Sequence, residues 1–143
     1  MEPTATRRAA IAVIRSGRAS TPSVARALPM IIAAHARLHG AGAVIVAGTD
    51  AGIAPVKPHG VLPVGLAQLT TFGMTALEAL RAGTSVAAQV CGLGDRKGRV
   101  APGYDADLLA VAGDPLADLG ALLRVERVFL AGRPVATAAA VAR

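Results

Sequence analysis

Apolar residues follow two different rhythms along this chain. Over residues 23–38 they return every third or fourth position, which predicts a helix that starts at Thr21 and Pro22 and stops at Gly40. Val44, Ile45 and Val46 then form a β-branched run between small residues, the pattern of a strand buried on both faces in a parallel sheet. That strand stops at Gly48. Residues 62–72 return to the helical period, and Gly73 stops them. Thr75 with Glu78 three positions on predicts a capping box that opens a helix over 76–81, and Thr84 opens another over 85–90. Residues 6–14 carry a weaker helical period, closed by Ser16 and Gly17.

Near Asp95 the helical rhythm gives way to short extended runs at 99–101, 108–111, 125–130 and 134–135, separated by turn signals such as Pro102-Gly103 and Asp114-Pro115. The chain therefore divides into an N-terminal segment 1–22, an α/β part 23–95, a small β unit 96–136 and a tail 137–143.

Composition narrows the function classes. Of 143 residues, 53% are hydrophobic but only 2% aromatic, so Ala, Val and Leu must build the core. The formal charge of +6 raises the question of nucleic acid, but the arginines are scattered and lack aromatic interleaving, so no nucleic-acid partner is expected. No run approaches the roughly 20 apolar residues of a membrane span. Cys91, the single cysteine, excludes an internal disulfide, falls in an apolar helical stretch where a buried side chain is expected, and makes the cytoplasm the expected compartment.

Asp50 lies just past the carboxyl end of the 44–46 strand, where parallel α/β folds place their chemistry, although a turn or cap would use an aspartate there too. The Pro- and Gly-rich stretch 51–63 reads as a loop bordering the same place, which makes His59 a candidate substrate-binding residue. His35 and His39, four apart, share a helix face and could hold a divalent metal, yet they also sit where histidines favourably meet the helix dipole.

Four blocks carry a resemblance: GTDAG at 48–52, MTALEALRAGTSVAAQVCGL at 74–93, KGRVAPGYDADLLAVAGDPLAD at 97–118 and VERVFLAGRPV at 125–135. In this order and spacing they resemble the carboxyl-terminal third of the amidohydrolase superfamily, nearest its imidazolonepropionase-like and Xaa-Pro-dipeptidase-like members. The resemblance implies the end of a (β/α)8 TIM-like barrel, then a β unit belonging to a composite β-sandwich. It implies hydrolysis of C–N bonds in a small-molecule or peptide-like amide, with Asp50 both ligand to a divalent metal, zinc in expectation, and proton shuttle. Asp107, Asp114 and Asp118 are implied to be turn and capping carboxylates.

The departures are as informative. A complete barrel takes roughly 250 residues. The family's amino-terminal H-x-H pair has no counterpart, both lysines follow Asp50, and a catalytic zinc needs about three protein ligands. The expectation is a truncated hydrolase, inactive alone, whose partner is the missing amino-terminal part or a second copy. The alternative is a non-catalytic scaffold fragment that associates with another chain.

Overall fold

A computed structural model describes residues 9–13, 22–52 and 58–135. Its first unit is β1 (Ala9–Val13), α1 (Pro22–Gly40) and β2 (Val44–Gly48), with β1 and β2 paired in parallel from Ala9 opposite Val44 to Val13 opposite Gly48. Parallel neighbours need a long return connection, and α1 supplies it. The helix closes with a Schellman pair: the Gly42 N–H donates to the His39 carbonyl at 2.9 Å and the Ala43 N–H to the Leu38 carbonyl at 3.0 Å. The helix ends at Gly40 as expected, but the left-handed glycine that turns the chain out of it is Gly42, with a φ of +75°.

β1 corrects the expectation of a helix over 6–14. The stretch AAIAV is apolar at every position, so it offers no polar face for a solvent-exposed helix. Alanine favours helix in isolation, but pairing with β2 overrides a propensity that is weak per residue. In β2 the expectation holds: Ile45 and Val46 point to opposite faces and both are buried.

Three helices follow, α2 (Leu62–Thr70), α3 (Ala76–Gly83) and α4 (Ser85–Val90). The capping box at α3 forms as expected, the Thr75 Oγ accepting the Glu78 N–H at 3.2 Å while Glu78 Oε2 accepts the Thr75 N–H at 2.7 Å. The last elements are β3 (Leu108–Val111), a 3-10 helix (Leu119–Leu123), β4 (Val125–Leu130) and β5 (Arg133–Val135), the strands forming one antiparallel sheet in the order β3-β4-β5. The expected strand over 99–101 is absent, because Gly98 takes a φ of +84° and Pro102-Gly103 turns the chain again.

One apolar cluster joins these parts. Ile45 of β2, Leu66 and Leu69 of α2, Met74, and Ala79 and Ala82 of α3 pack with Leu119 and Leu122 of the 3-10 helix. Leu69 is fully buried. Aromatic residues are so few that alanines at 79 and 82 let α3 come close to its neighbours. Cys91, by contrast, is exposed: it caps α4 beyond the last turn rather than lying on its inner face.

Candidate functional site

β2 fixes the site. Its last residue, Gly48, is followed by Thr49, whose Oγ accepts the Ala51 N–H at 3.2 Å and closes a tight turn. Asp50 sits at the top of that turn with a φ of 49°, a left-handed conformation that L residues rarely adopt and Asp tolerates better than most. Its side chain is exposed at the carboxyl end of the parallel pair, where the sequence places it.

His59 comes to the same turn from the far side of the loop. A Cβ at Gly52 would lie 3.1 Å from His59 Nε2, so the imidazole rests on bare backbone that only glycine offers, two residues from Asp50. Both candidates of the sequence thus gather at one strand end.

The other two histidines go elsewhere. His35 Nδ1 donates to the Ile31 carbonyl at 2.8 Å, and its ring stacks on Phe72 with centroids 4.7 Å apart. His39 Nε2 lies 3.3 Å from Glu78 Oε1, tying the last turn of α1 to the first turn of α3. Glu78 is held below the ordinary carboxylate range by the Thr75 backbone N–H first, then the Thr75 hydroxyl and His39. It therefore serves as a cap and a tether.

Four aspartates after residue 95 are committed to holding the structure around them. Asp105 accepts from Arg96 at 2.9 Å and Lys97 at 3.0 Å, and Lys97 also donates to Asp107. Asp107 further accepts the Ala131 N–H at 2.9 Å, holding the turn between β4 and β5. Asp114 accepts the Leu116 N–H and Asp118 the Gly120 N–H, each at 2.8 Å. The expected turn and cap roles hold for Asp107, Asp114 and Asp118, and the ion pair of Asp107 with Lys97 adds to them.

Two cavities, of about 550 and 290 Å3, open elsewhere. Arg81 borders both, and neither is lined by Asp50 or His59. The smaller is bounded by Val44, at the amino end of β2, so it lies a strand length of roughly 13 Å from the turn that carries Asp50. Sequence reading passed over Arg81 and Arg99, which carry no motif; only their convergence in space distinguishes them.

The sequence profile of the amidohydrolase family matches residues 7–135. The chain belongs to the amidohydrolase family. Among solved structures it resembles a candidate prolidase from Bifidobacterium longum, at 34% identity and a TM-score of 0.71, over 75% of this chain and 26% of that one. It resembles a Xaa-Pro dipeptidase with bound methionine at 29% identity and 0.72, over 81% and 28%. It also resembles phenylurea hydrolase B at 29% and 0.66, over 76% and 27%. No curated protein matches the chain. The chain spans about a quarter of the length of these solved relatives. Family membership extends the resemblance back through β1, which becomes a second barrel-type strand beside β2.

Members of this family usually bind divalent metals. The described residues do not fit one alone: no three His, Cys, Asp or Glu side chains gather where a metal could sit. No helix among the described residues is long and apolar enough to cross a membrane.

Proposed function

We propose that this chain carries the proton-shuttling carboxylate of a hydrolase that cleaves C–N bonds in a small-molecule or peptide-like amide. The observation that supports this most is Asp50 itself, held in a left-handed turn at the carboxyl end of a parallel strand pair, in a chain of the amidohydrolase family. A carboxylate there takes a proton from an attacking water and delivers it to the departing nitrogen, which would otherwise leave as a poor anion. His59, whose ring packs against Gly52 in the same turn, would donate a hydrogen bond to the substrate.

Asp50 would also contribute one ligand to a divalent metal such as zinc, whose set of ligands would have to be completed from beyond the described residues. The barrel and its flanking β-sandwich would be completed by the same additional polypeptide, an amino-terminal part or a second copy. The likeness to a prolidase, a Xaa-Pro dipeptidase and phenylurea hydrolase B supports a peptide or phenylurea-type C–N bond as substrate.

The test is hydrolysis of dipeptides and cyclic amides by the chain, alone and with a complementing amidohydrolase amino-terminal part, in the presence of divalent metal. Asp50→Asn should cut turnover by about 10²–10⁴-fold, and a variant that keeps normal turnover would remove Asp50 from the mechanism.

A second reading is a non-catalytic module that associates with another chain. It is favoured by α1, on which Leu28, Met30, Ile31 and Leu38 are all exposed, Met30 by 75%. Metal analysis separates the two: tight stoichiometric zinc favours the hydrolytic site, its absence from the complemented chain the module.

A further inference from the structure

We propose that the cavity of about 550 Å3 between α3, α4 and residues 98–99 binds a small aliphatic carboxylate. Its polar wall holds the side chains of Arg81, Arg99, Ser85 and Gln89, and no acidic residue lines it. Neither guanidinium has an ion-pair or side-chain hydrogen-bond partner among the described residues, unlike Arg96, Lys97 and Arg124, which pair with Asp105, Asp107 and Asp118. The Ser85 hydroxyl and the Gln89 carboxamide make no hydrogen bond among those residues either, whereas the neighbouring Thr84 hydroxyl is spent on the Leu80 carbonyl at 2.7 Å. The wall is therefore rich in donors and poor in acceptors, which selects an oxyanion.

Charge is only half of the lining. Leu77, Leu80 and Val86 supply an apolar side that bare phosphate would leave unused and a short hydrocarbon chain would cover. The floor is firm: Gly98, at a φ of +84°, packs so closely that an added Cβ would stand 2.7 Å from the Thr84 carbonyl oxygen. Residues 98–99 are thus seated on the start of α4, which holds Arg99 beside α3. The nearest acid on α3, Glu78, is already engaged by Thr75 and His39 and does not neutralise Arg81.

The site is independent of the hydrolytic reading, since Asp50 and His59 do not line it. The experiment is a titration of the isotope-labelled full chain with pentanoate, inorganic phosphate and pentan-1-ol in turn, followed by amide chemical shifts. Pentanoate should give saturable shifts centred on residues 81, 85, 89 and 99, with a Kd on the order of 1 mM for so small a ligand. Arg81→Gln and Arg99→Gln, both at exposed side chains, should each weaken it about tenfold with the circular dichroism unchanged. If Arg81→Gln unfolds, Arg81→Lys takes its place, and a several-fold loss is expected because the fork is gone while the charge remains. Phosphate binding as tightly as pentanoate would reduce the site to general charge attraction. Pentan-1-ol binding equally well would reduce it to an apolar hole. Either result, or the absence of saturable shifts, overturns the proposal.

Discussion

The two ends of this chain set their carboxylates on different kinds of backbone. After residue 95, Asp105, Asp107, Asp114 and Asp118 each accept from a cation or a backbone N–H, in their own loop or, for Asp107, also in the turn between β4 and β5. These bonds hold turns that have few buried side chains of their own. At the end of β2 the backbone holds the carboxylate: Thr49 closes the turn, Gly52 leaves room for His59, and Asp50 is lifted into a left-handed conformation at the strand end. A carboxylate that stabilises its loop and one that is presented by its loop look alike in a sequence. The geometry of the backbone around them tells them apart.

The strongest way to test whether these ends form one body is through the core between them. Leu69 is fully buried and packs with both Ile45 and Leu122. Leu69→Ala should cost about 2–5 kcal/mol, and Leu122→Ala somewhat less because Leu122 is not fully enclosed. Denaturant unfolding followed by circular dichroism should show one shifted transition in both variants. Two separate transitions would mean that the β unit folds independently of the helices.

A smaller loss is expected at α3. Thr75→Ala removes the acceptor for the Glu78 N–H and the anchor for the Glu78 carboxylate, and should lower stability by about 1 kcal/mol in the same assay. A loss of less than a few tenths would show that the box is decoration and that His39 alone holds Glu78.

Much of this arrangement can be read from the residues. β2, the cap at Thr75 and the placement of Asp50 follow from a β-branched run, a Thr-x-x-Glu spacing and a glycine that ends a strand. β1 could not be read that way, because AAIAV is compatible with helix or strand until β2 lies beside it. The 3-10 helix Leu119–Leu123 was equally hidden: LGALL is too short to show a period, and its purpose appears only where Leu119 and Leu122 meet Leu66 and Leu69. Cys91 misled through its neighbours, whose apolar character continues one residue past the end of α4. His59 was placed by loop composition, but its contact with Gly52 belongs to tertiary structure.

The ion cluster after residue 95 should make the two ends respond differently to pH. The Asp107 and Asp105 bonds raise the affinity of Lys97 for its proton, so its contribution is complete below the ordinary lysine value near 10.4 and is lost as pH rises through the folded value. Lys97, with Arg96 for Asp105 and the Ala131 N–H for Asp107, holds both carboxylates below their ordinary range. Their contribution is complete above roughly pH 4 and is lost as pH falls through the depressed values. Lys97→Gln should lower stability modestly between about pH 4 and pH 10, where these pairs are intact, and change little at the extremes, where they are already lost, so that the profile flattens; the loss is small because the side chains are partly solvated. A profile that keeps its shape in the variant would show that the cluster is ornamental.

Asp50→Asn should produce the smallest change in stability of all. Asparagine tolerates the left-handed region as well as aspartate does, keeps the size of the side chain, and leaves the Thr49 bond to Ala51 in place. At an exposed position the expected shift in unfolding free energy is within about 0.5 kcal/mol. Asp50→Val sharpens the point, because a β-branched residue is strained at a φ of 49° and should destabilise where asparagine does not. If asparagine proved as damaging as valine, the charge of Asp50 would be holding the turn together. Asp50 would then belong with Asp107 and Asp118 among the carboxylates that serve their own loops, and the contrast between the two ends of the chain would disappear.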